Sequence, residues 1–241
     1  MKVNEKLKWL ILGNHCPYCG KLIGEKEELC EDCRENLPEI IGAKCSFCGA
    51  GKDRCGCKKH KMKYDGISAP FYYEGGVSEC IRRLKFRRKS FAAEILAENM
   101  AKAVKEDFAG IDFDVITYIP FSVNQTLNRP YNQSELLAEA LSKRLNIPCD
   151  SILEKLYDNK IQHETKGTGR RGNVFGIYDV KKPETVQDKT VLLVDDIKTT
   201  GNTLNQCAVI LKIRGAKAVY CSVAAITPAK KEKKPEKEKT E

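Results

Sequence analysis

Nothing in this sequence approaches the roughly eighteen consecutive apolar residues of a membrane-spanning helix. An export signal is missing as well. Residues 1–12, MKVNEKLKWLIL, carry charges and a short apolar end, without a long apolar stretch or a small-residue cleavage site. The expected compartment is the cytoplasm, where structural disulfides are rare. Residues 13–60 are poor in apolar runs and show no sustained helical period, so they lack the means to build a sizeable core of their own. The required glycine and lysine spacing of a Walker A loop or a dinucleotide fingerprint is absent, and no Ser-His-Asp or Cys-His nucleophile set is visible. Basic residues are in excess, 42 Lys and Arg against 33 Asp and Glu, a balance that suits anionic partners without naming one.

With 241 residues, 41% of them hydrophobic, the chain has room for one large domain, or for a moderate domain and a small one. Its twelve cysteines are unevenly placed: eight fall between residues 16 and 57, while Cys80, Cys149, Cys207 and Cys221 are scattered singly. The cluster reads C-x2-C, C-x2-C, C-x2-C, C-x-C. Cys16, Cys19, Cys30 and Cys33 make one tetrahedral set, and Cys45, Cys48, Cys55 and Cys57 a second; interleaved pairing and a degenerate second set are the alternatives. Zn²⁺ suits four thiolates, and its binding supplies folding free energy that packing cannot supply here. An iron–sulfur cluster uses the same ligands, but the regular paired knuckles favour zinc. Four-thiolate sites leave no open position, so their role is structural, with His15 and His60 as bystanders.

Beyond the cysteines, SAPFYYE (68–74) predicts a strand that Gly75–Gly76 breaks. Val77, Cys80, Ile81 and Leu84 recur at helical spacing, and an apolar helix spans 91–106. Between them lie Arg82, Arg83, Lys85, Arg87, Arg88 and Lys89, a field that would attract a phosphate or nucleic-acid backbone; the bland alternative is a solvated helix face. From residue 113, strands and helices alternate, as in a mostly parallel sheet covered on both sides. Strands are expected at 115–120, 151–157, 174–178, 190–196 and 218–226, helices at 134–145 and 202–215, and a polar, basic, mobile loop at 158–173. The tail from Pro228 to Glu241, with six lysines, four glutamates and two prolines, is expected to be disordered.

The sharpest signal is VLLVDDIKTTGNTL, residues 191–204. A buried apolar strand delivers Asp195 and Asp196 at its C-terminal tip, where open α/β sheets place ligands. Gly201 lets the backbone turn tightly, and amides around Thr199–Thr203, with the hydroxyls of Thr199, Thr200 and Thr203, face an anion. Carboxylates would repel a phosphate, so they belong on hydroxyls or metal-bound water a few ångströms away. The ligand these groups describe is a sugar phosphate.

This stretch resembles the phosphoribosyl-pyrophosphate signature of type I phosphoribosyltransferases. The wider chain, residues 16–226, resembles the ComF family, phosphoribosyltransferase-like proteins linked to natural competence. HCPYCG, LCEDC and KCSFCG, APFYYEGGVSECIRRLKF, YIPFSVNQTLNRPYNQSELLAEALSKRLNIP and GRRGNVFGIYDV carry that likeness. It implies an α/β phosphoribosyltransferase fold at 63–227 behind a zinc-binding module at 1–62, with the tail at 228–241. Asp195 and Asp196 would hold ribose hydroxyls, often through Mg²⁺, and Thr199, Thr200, Gly201, Asn202 and Thr203 would cradle the 5-phosphate. Pro120, Phe121 and Ser122 correspond to the pyrophosphate loop. The family's Arg-Gly-Phe-Asn-Gln segment falls on Arg129, Pro130, Tyr131, Asn132 and Gln133, with proline in place of glycine.

A catalytic domain of this kind would displace pyrophosphate from C1 of phosphoribosyl pyrophosphate with a nitrogen nucleophile, and Arg129, Lys166, Arg170 and Arg171 are the candidates to stabilise the leaving group. His163 is a weaker acid–base candidate. The resemblance implies a phosphoribosyl-pyrophosphate-binding protein in competence and DNA uptake, contacting single-stranded DNA or a helicase partner. A Mg-dependent transferase of nucleotide salvage and a non-catalytic scaffold or sensor are the alternatives.

Overall fold

The computed structural model describes residues 14–57, 62–84, 89–121, 131–156 and 177–228. Two short strands, β1 (Asn14–His15) and β2 (Leu22–Ile23), pair antiparallel around the first cysteine knuckle, and helix α1 (Glu31–Asn36) follows. Next come β3 (Gly66–Ser68), β4 (Phe71–Tyr72), α2 (Gly75–Leu84), α3 (Lys89–Asp107), β5 (Val115–Tyr118), α4 (Gln133–Leu145), β6 (Leu153–Lys155), β7 (Tyr178–Val180), β8 (Thr190–Lys198), α5 (Asn202–Ile213) and β9 (Ala218–Ile226).

The main sheet runs β3-β9-β8-β5, with every pair parallel, and β4 extends the β3 edge along β9. Side chains alternate across a strand, so β8 sends Leu192 and Val194 to one face and Val191 and Leu193 to the other. The first face buries Leu96 and Met100 of α3 with Leu137 and Leu141 of α4; the second buries Leu204, Cys207 and Leu211 of α5. Both faces are covered, which is why residues 191–194 read as an unbroken apolar run. Each such buried side chain stabilises the fold by about 1.5–3 kcal/mol.

Several expected boundaries move. The strand expected at 68–74 is two short pieces, since Pro70 carries no N–H for the ladder; both keep one register against β9. Gly75 opens α2 rather than separating it from the strand. Within the strand expected at 151–157 the described strand is β6, and β7 begins at Tyr178, the last residue of the strand expected at 174–178, whose residues 174–176 lie outside the described residues; β6 and β7 leave the parallel sheet and pair antiparallel with each other. Residues 157–176, including the whole of the expected mobile loop, and the tail beyond Pro228 lie outside the described residues.

The cysteine-rich segment packs against the sheet domain. Tyr18 and Ile23 join the core beside Val77 and Phe71, and Ile40 and Ala50 join the opposite cluster beside Ile67 and Ile226. A buried ion pair, Lys44 to Asp107 at 2.8 Å, pins the segment to the end of α3, with Ser68 donating to the same carboxylate at 2.7 Å. Among the described residues no helix is long and apolar enough to cross a membrane.

Candidate functional site

Two features with chemistry emerge, and each rests on local backbone geometry. The first is the pair of cysteine sets. Both knuckles close the same way: Cys16 N–H donates to Lys21 C=O and Gly20 N–H to Cys16 C=O, while Cys45 N–H donates to Ala50 C=O and Gly49 N–H to Cys45 C=O, all at 2.8 Å. In the first set Cys30 also caps α1, its sulfur accepting from Cys33 N–H at 3.4 Å. The four sulfurs of Cys16, Cys19, Cys30 and Cys33 lie within 4.8 Å of one another, as do those of Cys45, Cys48, Cys55 and Cys57, which is the sequential grouping. Cys19 and Cys30 sulfurs are 3.4 Å apart and those of Cys48 and Cys55 3.6 Å. A tetrahedral zinc ion with bonds near 2.3 Å needs sulfurs about 3.8 Å apart, so both sets fit structural zinc.

Protonation within each set is uneven. Burial opposes ionisation of Cys16, but the amides of Cys19, Cys30 and Tyr18 bring it down to about 6. Cys45 falls to about 7 against its own burial through the amides of Phe47 and Cys48. Burial, and hydrogen bonds with neighbouring thiols, push Cys33 and Cys48 well up. A cation that displaces these shared protons removes the conflict. Among the described residues no histidine joins either set, and His15 stands outside in β1.

The second feature lies where β8 meets α5. The strand runs two residues further than expected, with Asp195 opposite Val223, Ile197 opposite Ala225 and Lys198 opposite Ile226. Gly201, with φ of 80°, starts α5 from a conformation that other residues adopt only at a cost. A side chain there would also press on Lys198 at 3.2 Å and Met62 at 3.4 Å. Thr199 and Thr200 are exposed, and the Thr200 hydroxyl accepts from Asn202 N–H at 3.4 Å.

Asp195 is held from across the sheet. Ser134 Oγ donates to its carboxylate at 2.8 Å, and Asp196 N–H donates to the same oxygen at 2.9 Å. Asn132 fixes the start of α4, its Oδ1 accepting from Ser134 N–H at 3.0 Å and its Nδ2 donating to Ile119 C=O at 2.8 Å. Ile119 N–H in turn donates to Val194 C=O at 3.1 Å, so Pro120 and Phe121 follow a strand end locked beside Asp195. Burial, then the neighbouring Asp196 charge, pushes Asp195 up to about 7.

Asp195 to Thr203 and Pro120–Phe121 thus converge at the C-terminal ends of β8 and β5. Ser122, Arg129, Lys166, Arg170, Arg171 and His163 lie outside the described residues, as do His60, Lys85, Arg87 and Arg88, and for Lys89 only its backbone place at the start of α3 is described. The basic cluster changes character where it is described. Arg83 turns inward, donating to the carbonyls of Cys16 at 3.4 Å and Tyr18 at 3.0 Å, which ties α2 to the first knuckle. Arg82 pairs with Glu79 at 2.6 Å, an acid one turn earlier. Residues that the motif did not point to are Ser134 and Lys198. The latter is only 7% exposed at the end of β8, where it lines a cavity of about 170 Å³ between the second cysteine set and the Thr199–Thr200 turn.

Comparison with known proteins draws the two features together. Residues 7–63 match the Double zinc ribbon domain family, and residues 130–241 match the Phosphoribosyl transferase domain family. Competence protein F of Haemophilus influenzae is 28% identical over 216 residues, covering 85% of this chain and 93% of its own length. Across both regions the chain is similar to proteins of the ComF family. A second relative is the DNA utilization protein YhgH of Escherichia coli (strain K12), 27% identical over 208 residues, with 85% and 86% of the two chains covered. Among solved structures, the glutamine phosphoribosylpyrophosphate amidotransferase of Bacillus subtilis shows a remote likeness, 18% identical over 60% of this chain and 30% of that one, with a TM-score of 0.42.

Proposed function

We propose that this chain is a ComF-family protein that binds phosphoribosyl pyrophosphate at the β8–α5 junction and serves in the handling of single-stranded DNA, directly or through a helicase partner. One observation carries the ligand: two successive carboxylates, Asp195 and Asp196, lie near the C-terminal end of a parallel strand that leads through a short turn into a Gly201-initiated helix, and Ser134 holds the first of them. The carboxylates suit ribose hydroxyls, and the amides and hydroxyls of Thr199–Thr203 suit a phosphate. The DNA role is supported by kinship with Competence protein F and the DNA utilization protein YhgH.

Magnesium fits the same groups. Adjacent carboxylates offer the hard oxygens it prefers, and Mg²⁺ is commonly held by one or two carboxylates together with ligand phosphates. Bound there, it would neutralise charge on the pyrophosphate. The ion, its ligand and any transfer of the ribosyl group belong to this proposal. Calorimetry with phosphoribosyl pyrophosphate and Mg²⁺ tests it: saturable binding that Asp195→Asn with Asp196→Asn weakens by about a hundredfold is expected, since charge-assisted contacts to both ribose hydroxyls are lost. Undiminished affinity in the double variant would sink the assignment.

A further inference from the structure

Besides a cavity of about 460 Å³ at the end of β5, the fold forms a smaller one of about 170 Å³ between the second cysteine set and the Thr199–Thr200 turn. Phe47, Ala50, Met62 and Ile226 give the smaller cavity apolar walls, and Cys48 and Cys57 bring the second set to its edge. Its polar residues are Lys198, Arg54 and three threonines, and no carboxylate lines it among the described residues. The two cations differ. Arg54 is committed: its guanidinium pairs with Glu74 at 2.6 Å and lies 3.9 Å over the Tyr72 ring. Lys198 is 7% exposed, and among the described residues its ammonium has no carboxylate and no hydrogen-bond acceptor. The far end of its side chain runs beneath Gly201, where a Cβ would stand 3.2 Å from Lys198 Cε. A buried ammonium without a partner is costly, and such a charge is normally met by an opposite one.

The sulfurs of the second set border the same space, but they have donors of their own. The amides of Phe47 and Cys48 serve Cys45, and the Ala50 amide serves Cys48. The sequence beside the cavity adds no acid, since residues 57–63 read CKKHKMK. We propose that this cavity binds a small oxyanion of the phosphate class, held by Lys198 and by the exposed Thr199 and Thr200. The volume suits such an ion, because sites for drug-sized molecules start at roughly 300 Å³. Apolar walls around one cation keep water from weakening its pull on the anion. The site goes beyond the sugar-phosphate reading, as Asp195, Asp196, Gly201, Asn202 and Thr203 are not among its lining residues. Free phosphate and the terminal phosphate of a larger molecule share this chemistry.

The test titrates the full, zinc-loaded chain with inorganic phosphate by calorimetry, with ribose 5-phosphate present in excess to fill the β8–α5 loop. Phosphate is expected to bind at one further site, and Lys198→Met to weaken it about tenfold through the loss of a charge-assisted contact. Lys198→Gln, which also removes the charge, should do the same. Lys102→Met, at an exposed pair with Glu98, should leave the affinity unchanged. Phosphate should also raise the melting temperature of the unsubstituted chain and not that of Lys198→Met, and the same curves show that each variant folds. Phenyl phosphate in competition names the source: displacement points to a terminal phosphate, and failure to displace points to the free ion. Phosphate binding that both Lys198 substitutions leave intact, or that ribose 5-phosphate abolishes, overturns the proposal. Absence of phosphate binding to the zinc-loaded chain overturns it too, and leaves Lys198 as the counter-charge of the thiolates alone. Ribose 5-phosphate that fails to bind while the Lys198-dependent site persists overturns the loop reading and leaves this site standing.

Discussion

The two cysteine sets are built on one turn but stand before different backgrounds. The first set is set into the core: Cys16 and Cys33 are buried, and Arg83 clasps the knuckle carbonyls. Even the glycine behind it is shaped by this contact, since a Cβ on Gly76 would lie 2.9 Å from Cys33 Sγ. No cysteine of the second set is buried, and Cys57 is exposed. Cys48 and Cys57 form one wall of the smaller cavity, and Lys198, Thr199 and Thr200 form another. Tyr64 donates its hydroxyl to the Phe47 carbonyl, and Lys63 N–H donates to Asn205 of α5 at 2.7 Å. One set therefore belongs to the core, whereas the other stands behind the Thr199–Thr200 turn.

The largest effect should separate the two sets directly. Cys16→Ser is expected to lower the melting temperature by about 15 °C and Cys57→Ser by about 5 °C, because only the first loses metal from within the core. Metal analysis of the unsubstituted protein should find about two zinc ions per chain, and a chelator titration should strip the more exposed set first. Equal melting shifts would break the comparison.

A smaller effect concerns the arginines. Arg83→Ala should cost about 2 kcal/mol in denaturant unfolding, since two knuckle carbonyls lose a charged donor, whereas Arg82→Ala should stay within about 0.5 kcal/mol as an exposed ion pair. A reversed order would show that the bonds to the knuckle carbonyls are not what anchors α2.

The smallest effect concerns the side of the second set, at the end of β8. Asp195 is raised from 3.8 to about 7, so the folded protein holds a proton there that the unfolded chain has given up. The penalty is absent below the lower value and grows to its full size as pH rises through the upper one. Asp195→Asn should thus raise the melting temperature of the ligand-free protein by about 3 °C at pH 8, with no gain at pH 4. A gain of the same size at both pH values would show that ionisation is not its cause.

The strand-loop-helix around Asp195 was legible because local patterns suffice: an apolar run, two acids, hydroxyls and a glycine. The knuckles were legible for the same reason, since ligand spacing is a local property. Contacts between distant segments were not. Nothing near Arg83 announces that its partners are carbonyls 65 and 67 residues earlier, and nothing near Asp195 announces Ser134, 61 residues away. The β6–β7 pairing was hidden because three-residue strands carry too little alternation to reveal their partner. Pro70 did carry a usable signal, a missing ladder donor, for the break between β3 and β4.

Thr227 N–H donates to Lys198 C=O at 2.9 Å, so the chain leaves the sheet behind the Thr199–Thr200 turn. That exit point has a practical side. A fluorophore attached just after Thr227 would sit near enough to sense ligand arrival, whereas a surface linkage at the same place would crowd the loop it was meant to report on. Binding measured on protein tethered through this end should therefore be compared with binding in free solution.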